Sequence, residues 1–186
     1  MTADARARSP LADRGTDLAT IGAELVPFLA QVDLRVDLAY AGLAPYPLPI
    51  EPNMAVDDGR RAALWLGPDE WLVVAPPGAP EELEKSLRLA LGTEAGAVVD
   101  LSAHRTTVEL SGVRAREVLA KGCSLDLHPS VFREGSCAQT LLAQAPVLLL
   151  SRGDDASYWL LVRASFATYL ADWLLDASSE YAEGDS

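Results

Sequence analysis

The sequence predicts an α+β fold in two similar halves, each an antiparallel sheet with helices packed on one face. Three features point there. Apolar and polar residues alternate over short runs, which is the period of a half-buried strand. Two hairpin patterns each lead directly into an amphipathic helix. The hairpins also share a tetrapeptide, Trp71-Leu72-Val73-Val74 before the first long helix and Trp159-Leu160-Leu161-Val162 before the last. A repeated hairpin-then-helix unit is a sign of internal duplication.

Along the chain, residues 1–17 carry arginines but no apolar block, so they read as a flexible polar tail and not as a secretory signal. The first half spans 18–95. Within it Val32, Leu34, Val36 and Leu38 alternate with Asp33, Arg35 and Asp37, giving a strand with one buried face. Pro45, Pro47, Pro49 and Pro52 then forbid helix and interrupt ladder bonding, so Gly42 to Asn53 is expected to be an extended arm. Residues 62–75 form a hairpin turned at Gly67-Pro68-Asp69-Glu70. Pro80, Glu81 and Glu82 suit a helix start and Gly92 suits its end, with Leu83, Leu87, Ala90 and Leu91 as the apolar stripe.

The second half spans 96–178 and opens with strands at 97–102 and 105–112. A short helix over 113–121 buries Ala115, Val118 and Leu119 and stops at Gly122, where a left-handed cap is expected. Strands follow at 139–143, 146–151 and 157–163. The last helix, 165–177, has Ser165 as its cap and Phe166, Tyr169, Leu170, Trp173 and Leu174 on one face. Residues 179–186 are expected to fray.

Composition excludes several functions. The 186 residues are 49% hydrophobic, enough for a core, and only 6% aromatic, so that core is mostly Leu, Val and Ala. Fifteen Lys and Arg against 27 Asp and Glu leave a net charge of −12, which repels nucleic acid and anionic membrane alike. No apolar run approaches the ~20 residues that span a bilayer. Cys123 and Cys137 are expected to be reduced thiols in the cytoplasm.

Candidate chemistry is sparse. His104, Cys123, His128 and Cys137 are all the histidines and cysteines, and their spacing lacks the paired knuckle ligands of structural zinc. Lys121 could lower the Cys123 thiol pKa, but the end of a helix opposes a thiolate. No glycine-rich phosphate loop is present. Asp100, His104 and Arg105 meet at a turn between strands. They could hold a small carboxylate, or Arg105 could pair internally with Asp100.

Residues 66–76 (LGPDEWLVVAP), 98–129 (VVDLSAHRTTVELSGVRAREVLAKGCSLDLHP), 137–150 (CAQTLLAQAPVLLL) and 166–177 (FATYLADWLLDA) resemble, in the same order, the gamma-subunit family of heterotetrameric sarcosine oxidase. The likeness runs from Leu64 to Ala177. That family in turn resembles a shortened folate-dependent aminomethyltransferase of the glycine cleavage T-protein type. The resemblance implies two ferredoxin-like halves with antiparallel sheets and packed helices, similar to a shortened aminomethyltransferase folate-binding fold.

It also implies that the activity belongs to a complex, in which sarcosine is oxidised to glycine, hydrogen peroxide forms and a one-carbon unit passes to tetrahydrofolate. FAD, NAD and tetrahydrofolate would sit on the alpha subunit, FMN between alpha and beta, and zinc on delta. This chain would carry no cofactor, no metal and no catalytic residue, and would bind alpha, beta and delta, chiefly alpha. Excess apolar surface, which a partner would cover, fits that reading. Tyr46, Leu48 and Ile50 of the proline-rich arm, and Arg105, are the candidate partner contacts. The alternative is a stand-alone small folate-binding protein. A related folate-binding group carries Lys-Gly-Cys-Tyr-x-Gly-Gln-Glu, whereas here Lys121-Gly122-Cys123 continues Ser-Leu-Asp-Leu, which favours a plain helix stop and loop.

Overall fold

Several strands of this protein are apolar on both faces, and that decides the architecture. The computed structural model describes residues 8–58, 60–78, 80–153 and 156–182. Ten strands are present among them: β1 (Ala23–Val26), β2 (Ala30–Val36), β3 (Ala55–Asp57), β4 (Ala62–Gly67), β5 (Glu70–Ala75), β6 (Gly96–Asp100), β7 (Arg105–Leu110), β8 (Cys137–Leu142), β9 (Ala145–Ser151) and β10 (Tyr158–Arg163). Four α-helices accompany them, α1 (Gly15–Ala19), α2 (Pro80–Leu91), α3 (Ala115–Ala120) and α4 (Ala167–Ala182). All pairings are antiparallel, in two five-stranded sheets ordered β3-β4-β5-β2-β6 and β8-β9-β10-β7-β1.

The sheets pack face to face, with helices outside. Leu64, Leu72 and Val74 of the first sheet meet Cys137, Leu148, Leu150 and Leu161 of the second in one buried cluster. On their opposite faces, Trp71 and Val73 pack with Leu83, Leu87 and Leu91 of α2. Val147, Leu149, Tyr158, Leu160 and Val162 likewise pack with Val118, Leu170 and Leu174 of α3 and α4. At one end of the inter-sheet layer Trp159 Nε1 donates to Glu109 Oε2 at 3.2 Å, while the Arg152 guanidinium stacks 4.0 Å over its ring.

The expected α+β class and its duplication are borne out, and the two sheets correspond strand for strand. The division at residues 95 and 96, however, does not separate them. β6 follows that division yet pairs with β2 in the first sheet, Gly96 lying opposite Val36. β1 precedes it yet pairs with β7 in the second, Ala23 lying opposite Leu110. Each half therefore lends an edge strand to the other's sheet. Periodicity reports that a strand exists but not which edge it joins, and β1, only four residues long, gave no pattern at all.

Both ends are more ordered than the sequence suggests. Leu11 and Leu18 are fully buried, so residues 8–17 are no free tail, and Arg14 binds Asp172 of α4 at 2.7 Å. Residues 1–7 lie outside the described ones. Helix α4 runs on to Ala182 instead of ending at 177. Lys121 holds its last turns, donating to the Ala177 carbonyl, binding Glu180 at 2.6 Å and lying over the Tyr181 ring, as suits a cation near a helix C-terminus. The expected fraying at 179–182 is thus absent, and 183–186 lie outside the described residues.

Five local expectations need correction. Leu38 does not continue β2: the Asp37 side chain accepts from the Ala39 N–H at 2.9 Å and caps a 3-10 helix over Leu38–Leu43, turning Leu38 outward. Gly42 belongs to that helix, so the arm begins after it. Ser165 makes no cap, because a 3-10 turn over Ala164–Phe166 leads into α4 and the Ala164 N–H donates to the His104 carbonyl. Asp33 lies on the face of β2 turned toward the second sheet, its side chain only 14% exposed and under the influence of Arg105, whereas Arg35 further along the strand is exposed.

The fifth is Gly122, which does not adopt positive φ, unlike Gly92 at φ 60°. A Cβ on Gly122 would sit 2.5 Å from Trp173 Cζ2 and 3.0 Å from the Ala143 nitrogen. The glycine is there for close approach, not for a left-handed cap.

Two predictions follow from this packing. Replacing Gly122 by alanine should destabilise the fold by about 1–3 kcal/mol through overpacking, read as a lower denaturation midpoint together with altered Trp173 fluorescence. An unchanged midpoint would contradict the contact.

The second concerns the thiols. Cys123 bridges to Leu142, at the far end of β8 from Cys137, which puts the two cysteines roughly 17 Å apart. That is well beyond disulfide reach. Both are free, and burial pushes the Cys137 thiol up to about 12. A thiol reagent at pH 8 should label Cys123 in the native protein and Cys137 only on unfolding; equal native labelling would refute this.

Candidate functional site

The apolar layer between the sheets turns polar at the corner where β2 faces β7. In β7, Val108 and Leu110 point toward the helices, so Arg105, Thr107 and Glu109 point toward the first sheet. In β2, Val32 and Leu34 point toward α2, so Gln31 and Asp33 point back at them. The turn before β7 fixes the corner. Leu101 N–H donates to the Gln31 carbonyl at 2.7 Å, and Gln31 N–H donates to Ser102 Oγ at 3.0 Å. Ser102 in turn donates from both its N–H and its hydroxyl to Asp100 Oδ1, at 2.8 and 2.6 Å.

This disposes of the internal Asp100–Arg105 pair, since Asp100 is engaged by its own turn. The charges that act on Arg105 are Arg163, which is opposite it in the β7–β10 register, and the carboxylates of Asp33 and Glu70. Burial first, and the Arg163 charge second, hold the Arg105 pKa below its usual value, with Asp33 and Glu70 opposing. Burial, then Arg105 and Arg163, lower that of the exposed His104. Burial and then Glu70 raise the Asp33 carboxyl, while Glu70 itself binds Arg35 at 2.6 Å.

A cleft of about 400 Å³ opens at this corner, walled by Val26, Phe28 and Leu29 from the β1–β2 turn and reached by Arg105, Gln31 and Thr107. Gln31 Nε2 donates to the Arg105 carbonyl at 3.2 Å. Gln31 Oε1, Arg105 Nη1 and Thr107 Oγ1 are buried and have no hydrogen-bond partner among the described residues.

Of the residues singled out in the sequence, Arg105 alone lines this cleft. Tyr46 is only 8% exposed and packs in the first-sheet core, with Arg61 5.2 Å over its ring. Leu48 packs against the same core, and Ile50 is 72% exposed. Gln31 and Thr107 were not foreseen. They sit in strands where a polar residue every second position reads as a solvent face, and nothing in the pattern says that a second sheet covers it. His128 Nδ1 lies 2.7 Å from Ser130 Oγ, and among the described residues no group of three or more His, Cys, Asp or Glu could hold a metal. No helix among them is long and apolar enough to cross a membrane.

Comparison with known proteins is consistent along the chain. Residues 37–180 match the family described as sarcosine oxidase, gamma subunit family. The sarcosine oxidase subunit gamma of Corynebacterium sp. (strain P-1) is 40% identical over 176 residues, 91% of this chain and 85% of that protein. The subunit gamma of Arthrobacter sp. is 39% identical over 188 residues, covering 94% and 91%.

Among solved structures, a chain of the heterotetrameric sarcosine oxidase from Corynebacterium sp. U-96, in complex with pyrrole 2-carboxylate, superposes with a TM-score of 0.88 at 36% identity. The match covers 97% of this chain and 98% of that one. The glycine cleavage system aminomethyltransferase T from Bartonella henselae matches with a TM-score of 0.63 at 15% identity, over 87% of this chain and 48% of that one, a likeness of fold alone. Matched over most of its length in sequence and in structure, the chain belongs to the sarcosine oxidase gamma subunit family.

Proposed function

We propose that the chain is the non-catalytic gamma subunit of a heterotetrameric sarcosine oxidase, binding chiefly the large alpha subunit and stabilising its assembly with beta and delta. The observation that carries this is the full-length superposition on a chain of such a complex, with almost nothing left over on either side. In the proposed reaction the N-methyl group of sarcosine gives up an electron pair and protons, which oxygen takes up as hydrogen peroxide. The methyl carbon passes to tetrahydrofolate and glycine remains. The residues described above supply no step of it. FAD, FMN, NAD, tetrahydrofolate and zinc are assigned to the other subunits, and the complex to the cytoplasm.

The arm can now be divided by burial. Tyr46 and Leu48 are committed to this chain's own core, and Trp71 Nε1 ties the arm down by donating to the Pro49 carbonyl at 2.8 Å. Ile50 stands out from that anchored backbone and is the proposed contact, because ordering a pre-fixed side chain against a partner costs little entropy. Arg105 is the other candidate contact; as it lies in a cleft, only a protruding partner group could reach it. The folate-binding alternative has only the fold likeness to the aminomethyltransferase behind it.

Co-expression with alpha, beta and delta tests the reading. Omitting this chain should abolish the native heterotetramer mass and sarcosine-dependent peroxide formation; normal assembly and turnover without it would refute the role. Ile50→Ser should weaken assembly while leaving the melting temperature of the isolated chain unchanged. Tyr46→Ser should instead destabilise the isolated chain by about 3 kcal/mol, as expected for emptying a buried aromatic site. Saturable micromolar binding of tetrahydrofolate to the isolated chain would favour the alternative.

A further inference from the structure

The cleft between β2 and β7 is lined by residues whose buried polar atoms are not satisfied by the surrounding fold. Gln31 and Thr107 are each 1% exposed, yet among the described residues Gln31 Oε1, Thr107 Oγ1 and Arg105 Nη1 have no hydrogen-bond partner. Buried polar atoms without partners are uncommon in folded proteins, and three on residues that line one cleft call for a common explanation. Their chemistry is specific. Arg105 Nη1 can only donate. The Gln31 amide is oriented by its Nε2 bond to the Arg105 carbonyl, so Oε1 can only accept. Thr107 Oγ1 can do either.

The surroundings sharpen the complement. Arg163, opposite Arg105 across the β7–β10 ladder, adds positive potential within a chain of net charge −12. Val26, Leu29 and Phe28 supply an apolar wall. Phe28 has φ 56°, a backbone region that disfavours a bulky residue, and its ring is half-exposed at the cleft. Strain of this kind persists where surrounding structure holds it, often beside ligands.

We propose that this cleft binds a small α-amino carboxylate, its carboxylate on Arg105, its N–H donor on Gln31 Oε1 with Thr107 Oγ1 bridging, and its apolar body against Val26 and Leu29. A guanidinium is suited to carboxylate, and a buried acceptor discriminates strongly against a ligand that lacks the donor. All residues of the site belong to this chain, and a ligand seated on Arg105 takes the place of the partner contact proposed for that residue, leaving Ile50 as the assembly contact.

The test uses the full-length chain and three five-membered-ring probes: L-proline, cyclopentanecarboxylate, which lacks the nitrogen donor, and pyrrolidine, which lacks the carboxylate. Calorimetry should show saturable binding of proline, with each of the other two at least tenfold weaker. Arg105→Met should weaken proline at least tenfold with the circular dichroism spectrum retained. Thr107→Val, which removes an unpaired hydroxyl at constant shape, should raise the melting temperature of the free chain and weaken proline several-fold. Absence of saturable binding by any probe overturns the proposal, as does equal affinity for all three. Proline binding that Arg105→Met leaves unchanged overturns it too.

Discussion

A sheet that must bury both of its faces sets the terms for everything else in this molecule. Ordinary alternation gives a strand one apolar face, which suffices for a sheet covered by helices on one side only. Here the central strands of both sheets are apolar on alternate sides in succession, Trp71 with Leu72, Leu160 with Leu161, so each sheet can accept helices outside and the other sheet inside. The layer order, helix, sheet, sheet, helix, follows from that requirement. So does the slender role of aromatics: close sheet packing is served by Leu and Val at regular pitch, with Trp159 reserved for the rim, where its N–H can reach Glu109.

The reciprocal loan of β1 and β6 strengthens this arrangement. Were each half to complete its own sheet, no strand ladder would join the halves. With the edge strands exchanged, backbone ladders join them, through Leu25 opposite Val108 and Leu34 opposite Val98. Backbone bonds near β3 and β8 add a further tie, Ala55 N–H to the Gly135 carbonyl at 2.7 Å and Cys137 N–H to the Asn53 carbonyl at 2.8 Å. Unfolding one half alone would then expose the other's unpaired edge, so the two should behave as one cooperative unit.

What was legible in the sequence was local. The helix of Pro80–Leu91 announced both ends and its stripe, and the hairpin at Gly67–Glu70 and the duplicated tryptophan motif read correctly, because caps, turns and periods are encoded within a few residues. What was not legible depended on partners distant in the chain. Gly122 looked like a helix cap because its real reason, Trp173, lies on another helix. Asp33 looked solvent-facing because the second sheet is not written into β2. Tyr46 looked free because nothing in a proline-rich run says which of its side chains turns inward. The candidate cleft was half visible: Arg105 stood out at its turn, while Gln31 and Thr107 acquire meaning only when two strands 74 positions apart in sequence are brought together by the bond between Gln31 Nε2 and the Arg105 carbonyl.

The corner is costly to keep, because Gln31 Oε1, Arg105 Nη1 and Thr107 Oγ1 are buried there without partners among the described residues. Leaving a buried donor or acceptor unpaired costs about 1–3 kcal/mol. Apolar side chains of similar shape would remove that penalty and extend the inter-sheet core to its edge. The like charges of Arg105 and Arg163 facing each other across β7 and β10 add a repulsion that a sheet normally avoids. Burial and then Glu70 raise the Asp33 carboxyl pKa, with Arg35 and Arg105 opposing the rise. A fold stable enough to tolerate this corner gains its margin from the continuous apolar layer beside it. The polar cleft and the hydrophobic sandwich are therefore linked, the second supplying the stability on which the first draws.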